Sequence, residues 1–438
     1  MKTMNTETTA KRGPAGRARG LLLGSALTAS ALAAVSATAQ EITVLTGYPE
    51  LEPFYEHVAE GMSAEYPDLV VNIEPISLRE HERRVALGLT GGLDDGTVIE
   101  FASAGAQRFL EAGLLPAAPE DVAAYVQENF GEFFVDGVSY DGQIYGIPLF
   151  RGQSALYYNT EMFEAAGLDG PPTTMEEFTE YADVLTQRDD AGNPTVSGWS
   201  LRLSGGGQGI AEKFWINLHQ FGGTVLEQTE DGMWRAAYAS PEGVAALSQY
   251  LDNLYVYNTV TSEMPADAEA FEREQTAMFI RESWVIGDIA QNAPDLPYAT
   301  SVLPTGSIAL SQNLYVMGDG EAADAAWAFA QATTTEDNMI WLLENVGWLP
   351  NRSGLDYASV IETTPALDAF VTYPDDYAFF TLPAIGPIAE ILTRLADQLT
   401  TAYADESLAG DDAAIMALLE EAAEETNEIL DREGLLAE

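Results

Sequence analysis

A mixed α/β fold with mainly parallel strands is the class this sequence predicts, on three observations. Glu41 to Leu45 is a β-type run, Leu51 to Tyr66 repeats its apolar residues at helical spacing, and Leu69 to Ile73 is a second β-run. Strand, helix and strand in so short a span call for parallel pairing through a crossover. Asp141 to Phe178 repeats the alternation of strand and helix signals. The third observation is bulk: 438 residues at 47% hydrophobic content hold enough apolar material for more than one core.

The chain opens on a segment that does not read as part of the fold. Lys11, Arg12, Arg17 and Arg19 precede a short apolar run from Leu21 to Val35. Ala37-Thr38-Ala39 then supplies the small-x-small site of a cleaved export signal, so residues 1–39 are expected to be removed. No later stretch is apolar enough to span a bilayer. Cysteine is absent, which excludes disulfides, thiolate metal sites, thiol catalysis and an N-terminal lipidated cysteine. A formal net charge of −50 opposes binding to nucleic acid or to anionic membranes and suits a highly solvated surface.

After Leu69–Ile73 the next strand is Thr97 to Phe101, with a helix from Gly105 to Gly113. Ligands of open α/β sheets lie beyond the carboxyl ends of the strands, which makes Tyr48, Glu50 and Ser103 candidate contacts. Gln143 to Pro148 and Ala155 to Tyr158 read as two successive strands. Thr160 is placed to cap a helix that Gly167 stops, Pro171-Pro172 holds the chain extended, and Thr173 or Thr174 caps a longer helix with Glu176 and Glu177 in its first turn.

Asp189-Asp190-Ala191-Gly192-Asn193 reads as a hairpin turn, because the spaced ligands of a calcium loop are missing. Ser204 to Gly209 is a glycine-rich loop without the ending of a phosphate-binding P-loop. Its amides at a helix N-terminus suit hydroxyls or anions, which adds Ser204 and Gln208 to the candidates. Pro241 to Asn258 reads as a helix, Phe271 to Ile280 as helix into strand, and Tyr298 to Leu303 and Asn313 to Met317 as strands. Helices follow from Ala322 to Ala332, from Glu336 to Asn345, and through most of the chain after Leu367.

Catalysis finds no support in the motifs. His57, His81 and His219 are scattered without metal-ligand spacing, and the Gly-x-Ser-x-Gly elbow is absent. Pairs among 69 acidic residues say nothing about glycoside hydrolysis.

Gly142-Gln143-Ile144-Tyr145-Gly146-Ile147-Pro148, then Tyr157-Tyr158-Asn159 with Phe163 and Ala166-Gly167-Leu168, then Pro171-Pro172 with Thr174 and Glu177-Phe178, resembles the signature of family 1 extracellular solute-binding proteins, the ligand receptors of ABC importers. Glu274 to Met278 leading to Ser283-Trp284, Val302 to Gly306, and Gly347 to Pro350 fit the same family in the same order. The resemblance implies a two-lobed periplasmic-binding-protein fold with a ligand cleft between the lobes. It puts residues 40–150 and 313–347 in the N-terminal lobe and 151–312 and 348–438 in the C-terminal lobe. Crossings then fall near Pro148–Gly152, Ala309–Asn313 and Gly347–Asn351.

The implied function is capture rather than catalysis: a periplasmic protein, monomeric and not lipid-anchored, holding a carbohydrate for ABC transporter membrane subunits, with no cofactor, metal or nucleic acid. Trp284, Trp348 and Tyr48 are expected to pack on sugar rings, and Glu50, Ser103, Arg151, Ser204, Gln208 and Arg352 to meet hydroxyls or a carboxylate. Two departures stand out. Many sugar-binding relatives place an acidic residue just after the first crossing, where this chain has Arg151-Gly152-Gln153. An aromatic of maltodextrin binders is missing around Ile388–Leu392. Because arginine pairs bidentately with carboxylates and phosphates, a uronate or glycerol phosphate is the alternative ligand, with a secreted carbohydrate-active enzyme as a further alternative.

Overall fold

Two long strands, Gly146–Asn159 and Gly306–Val316, lie side by side and carry the sheet. The computed structural model describes residues 40–204 and 207–437, so the export-signal reading of residues 1–39 falls outside it, as do Gly205 and Gly206 of the glycine-rich loop. Along its main path the sheet runs Met278–Glu282, Gly146–Asn159, Gly306–Val316, Thr97–Ala102, Gln40–Thr46, Leu69–Pro75. Gln40–Thr46 pairs in parallel with both Leu69–Pro75 and Thr97–Ala102, as the strand–helix–strand order requires. The two long strands are antiparallel to each other, and Gly306–Val316 is also antiparallel to Thr97–Ala102, so the sheet is mixed. Parallel pairing is favoured where one helix joins neighbouring strands. It lapses where the neighbour arrives after a long excursion of chain.

The two β-runs expected over 143–158 are corrected to one strand of 14 residues, preceded by a two-residue strand, Gln143–Ile144. Arg151, Gly152 and Gln153 stay extended because Ser311, Leu310 and Ala309 of the other long strand stand opposite them. The next helix, Thr160–Ala166, takes its cap from Asn159, whose side chain accepts from the Met162 amide, instead of from Thr160. Gly167 ends it in the left-handed region at φ 76°, where a side chain would be strained. Thr174 does cap the following helix, Met175–Leu185, and Glu177 reaches back to the Thr173 amide. Helix Leu78–Gly91 was not read from the sequence, although Val85 and Leu89 supply its buried stripe.

Period-two alternation along Gly146–Asn159 feeds different cores. Leu156 enters a large cluster with Phe178, Phe214, Leu247, Leu395 and Leu419, whereas Tyr157 enters a cluster on the opposite face with Phe271, Phe279 and Phe370. Ile147 and Leu149 belong to a third core with Val44, Phe54, Leu314 and Phe329, and Ile99, Phe101 and Tyr315 face a fourth. The fold is thus two α/β lobes strung on the same pair of strands. Helices Ile388–Tyr403 and Asp412–Arg432 close the large cluster, where Tyr403 stacks on Tyr250 at 5.0 Å and 9°.

Buried polar side chains gather where the long strands cross. Asn351 donates to Phe150 O and Ser311 Oγ, Ser311 Oγ donates to Asn313 Oδ1 at 2.7 Å, and Asn313 donates to Ser103 Oγ at 2.9 Å. A register shift at Gln312/Asn313 breaks the ladder there, and these side chains satisfy groups the ladder leaves open.

Candidate functional site

Beyond the carboxyl ends of Gln40–Thr46 and Thr97–Ala102 lies a cavity of about 340 Å3, closed on its far side by the first turn of helix Gly209–Gln220 and by 381–389. Tyr48, Ser103 and Gln208, three of the expected contacts, line it together. Arg79, Glu100, Arg108 and Glu212 line it too.

Glu100 is a buried carboxyl at the cavity floor. Its Oε2 accepts from Tyr55 Oη at 2.5 Å and Thr46 Oγ1 at 2.9 Å. Its Oε1 has no partner among the described residues. Burial pushes its pKa up to about 7, against the lowering pull of those two hydroxyls. His81, whose pKa burial lowers, donates from Nε2 to the Glu100 carbonyl at 2.6 Å and fixes the end of that strand.

A second centre forms around Glu282. Lys213 Nζ donates to Oε1 at 2.9 Å, with Ser154 Oγ at 3.4 Å. Arg281 Nη1 donates to Oε2 at 2.7 Å, with Trp284 Nε1 at 3.4 Å. Burial opposes this charge, but Lys213 and Arg281 outweigh it and bring the pKa down to about 2. The side chain lies over Gly152, where an added Cβ would stand 3.7 Å from Glu282 Cγ and from Trp348 Cζ3. A carboxylate therefore occupies the space beside Gly152, supplied by the strand Met278–Glu282 instead of by residues 151–153.

Trp284 is half-buried, with the Arg281 guanidinium 5.2 Å from its ring centre. Trp348 lies deeper, at 7% exposure. It meets Tyr48 edge-on at 5.4 Å and Phe150 at 4.9 Å, and donates from Nε1 to Glu50 Oε1 at 3.3 Å. Tyr48, Glu50 and Trp348 thus form one group, of which Tyr48 lines the cavity.

Six of the nine expected contacts lie outside the lining of this cavity: Glu50, Trp284 and Trp348, just described, and Ser204, Arg352 and Arg151. Ser204 lines a separate cavity. Arg352 donates to Tyr125 Oη and Thr334 O and lies 3.8 Å from Glu336 Oε1, which ties it to residues 125, 334 and 336. Arg151 is 6% exposed, donates to Gln153 Oε1 at 3.0 Å and to Pro350 O, and lies 5.6 Å from the Phe134 ring. No carboxylate among the described residues pairs with it, and burial lowers its pKa. By these contacts Arg151 ties its own strand to Pro350. Arg151→Ala is expected to cost roughly 2 kcal/mol of stability, the scale of hydrogen bonds to a charged group, without altering the preference between neutral and acidic sugars. Thermal melts and competition titrations check this. Unchanged melting with lost affinity for an acid would make Arg151 a ligand contact.

Glu282, Lys213, Glu212, Arg79 and Glu100 were not singled out from the sequence. One signal was available: Lys213 is the only lysine after Lys11 in a chain with 69 acidic residues. Glu100 carried none, because an acidic residue inside a β-run ordinarily reads as solvent-facing.

Residues 60–369 match the family described as bacterial extracellular solute-binding protein. A putative binding protein of Brucella abortus (strain 2308) is 24% identical over 359 residues, covering 77% of this chain and 82% of the relative. An ABC transporter solute-binding protein from Thermotoga lettingae, bound with alpha-D-tagatose, matches at a TM-score of 0.71 and 22% identity, covering 89% of this chain and 100% of that one. Maltose-bound MalE3 of T. maritima matches at 0.71 and 19%, covering 89% and 99%. At these identities the structural likeness speaks for the fold. Together with the sequence match across most of the chain, it places this protein in the bacterial extracellular solute-binding protein family.

Proposed function

We propose that the chain is the exported ligand receptor of an ABC importer, that it captures a carbohydrate, and that it performs no catalysis. The observation that carries this reading is the cavity at the strand ends, where half-buried Tyr48 stands beside the polar groups of Ser103, Gln208 and Glu212; Trp284, which donates to Glu282, is the second aromatic of the reading. Aromatic faces take the apolar face of a sugar ring, and planar carboxylates and amides take its hydroxyls. The family's solved relatives include proteins bound to tagatose and to maltose, which is consistent with such a ligand. Residues 40–150 and 313–347 make one lobe and 151–312 and 348–438 the other, and the three crossings act as the hinge. Ligand binds one lobe, and closure presents the form that the membrane subunits recognise. Cleavage after Ala39 would release the receptor, as a monomer, into the periplasm.

A second reading, a carboxylated or phosphorylated sugar, rests on Arg108. It lines the cavity and has no carboxylate partner among the described residues.

The test is titration calorimetry with galactose, glucose, lactose, maltose, glucuronate and glycerol 3-phosphate, on the wild type and on Trp284→Ala. One of the neutral sugars is expected to bind, and Trp284→Ala to weaken it by roughly 1–3 kcal/mol, the scale of a large apolar contact, while the fold survives. Trp348→Ala should instead cost about 3–5 kcal/mol of stability, as truncation of a core aromatic does. Heat from none of the six ligands, or turnover of a bound sugar, would defeat the reading.

A further inference from the structure

The hydrogen bonds of Glu100 are those of a carboxylic acid, not of a carboxylate. The residue is 1% exposed and lines the cavity at the ends of Gln40–Thr46 and Thr97–Ala102. Its Oε2 accepts from Tyr55 Oη at 2.5 Å and from Thr46 Oγ1 at 2.9 Å, which fills both lone pairs of a carbonyl oxygen. Its Oε1 has no partner among the described residues. Ionised, that oxygen would hold charge and open lone pairs away from water, which costs far more than one hydroxyl left without an acceptor. The charged group that acts on it most strongly is Glu50, of the same sign. Tyr55, Thr46 and the Gly47 amide favour the ionised form, and burial outweighs them.

The elements packed around the cavity offer this carboxyl no free cation. On helix Leu78–Gly91, His81 donates from Nε2 to the backbone carbonyl of Glu100, and Arg79 is paired with Glu82 at 2.9 Å. On helix Ser103–Glu111, the Arg108 guanidinium lies 4.6 Å from the Phe109 ring centre. Across the cavity, Glu212 of helix Gly209–Gln220 is a further carboxyl whose pKa burial raises, and burial raises that of the Tyr48 hydroxyl as well.

We propose that Glu100 contacts the captured solute and does so as a neutral acid, donating from Oε1 to an acceptor oxygen of the ligand. The inference rests on the reading that this cavity captures a carbohydrate, whose hydroxyl, ring or glycosidic oxygens supply such an acceptor. An occupied cavity excludes water from beside Glu100 and gives the Oε1 hydroxyl a partner, and both effects favour the protonated form. Ligand and proton are therefore taken up together. By linkage, capture weakens as pH rises through 7, where the free protein gives up this proton.

The experiment titrates glucose, galactose, lactose and maltose by calorimetry into wild type and Glu100→Gln at pH 6, 7 and 8. Each titration is run in two buffers of different ionisation enthalpy, and melting temperatures are recorded for both proteins. For a sugar that binds, the wild type should lose about tenfold in affinity from pH 6 to pH 8, the fall in the protonated fraction of a group titrating near 7. It should also take up about one proton per ligand at pH 8. Glu100→Gln keeps an oxygen for Tyr55 and Thr46 and offers an N–H to the ligand, so its affinity should stay level with pH and exceed that of the wild type at pH 8. Wild-type affinity that is independent of pH, or proton release on binding, overturns the inference and leaves the carbohydrate reading standing. So does an unchanged pH dependence in Glu100→Gln, or loss of binding by that variant while it melts as the wild type does. Failure of all four sugars to bind removes both.

Discussion

Glu282→Ala is expected to lower stability by about 3–5 kcal/mol, the cost of removing one partner from a buried ionic group, and to abolish ligand binding. The carboxylate is 16% exposed and holds together Lys213, 13% exposed, and Arg281, 19% exposed. Without it two cations face each other in a site that was shaped around an anion. Glu282→Gln should fall between wild type and Ala, since it keeps the shape but loses the charge. The same centre sets an acid limit. The Glu282 pKa is depressed to about 2 from an ordinary value of 4.5, so its contribution is fully present above pH 4.5 and is lost as pH falls toward 2. Chemical denaturation of wild type and both variants at neutral pH checks the magnitude. A loss below about 1 kcal/mol, typical of a solvated pair, would show that Glu282 is not the organising group.

Glu100 should impose the opposite dependence. Its folded pKa is raised to about 7, so the folded state holds a proton that the unfolded chain gives up near 4.5. Stability from this group is present below pH 4.5 and declines as pH rises through 7, by roughly 3 kcal/mol in all at 1.36 kcal/mol per pKa unit. Glu100→Gln keeps the hydrogen-bonding shape and removes the titration. The difference in stability between wild type and variant should therefore widen from pH 5 to pH 7, in the variant's favour, and level off above it. Comparing the two proteins cancels other groups that titrate in the window, such as Glu272, also raised to about 7. A constant difference across that range would show that Glu100 stays ionised. Because Oε1 of Glu100 has no partner and the residue lines the cavity, bound ligand should alter this profile.

Local order was legible where period and punctuation agree. The strand Gln40–Thr46, the helix Glu336–Asn345 and the caps at Thr174 and Gly167 follow from residues within a few positions of each other. The hairpin at Asp189 is another such case, with its carboxylate accepting from the Ala191 and Asn193 amides. Legibility failed where a partner far along the chain decides. Arg151-Gly152-Gln153 looked like a break between strands, yet residues 309–311 hold it extended. Tyr48, Ser103 and Gln208, which line one cavity, could be named as candidates because they sit at strand ends or at a helix N-terminus. Arg151 and Arg352 carry the same charge and the same loop-like setting in the sequence, but the structure ties both to groups of the protein itself, Arg151 to an amide and a carbonyl oxygen and Arg352 to a hydroxyl, a carbonyl and the Glu336 carboxylate.

The sequence by itself determined the α/β class, the family and the absence of thiol chemistry, since each follows from local periodicity, motif order or composition. Tertiary structure alone decided which charges share a site. Glu282 is one acidic residue among 69 until residues 154, 213 and 281 bring four donors to it together with Trp284. Electrostatic coupling depends on distance in space and on the water excluded between charges, and neither quantity is written along the chain.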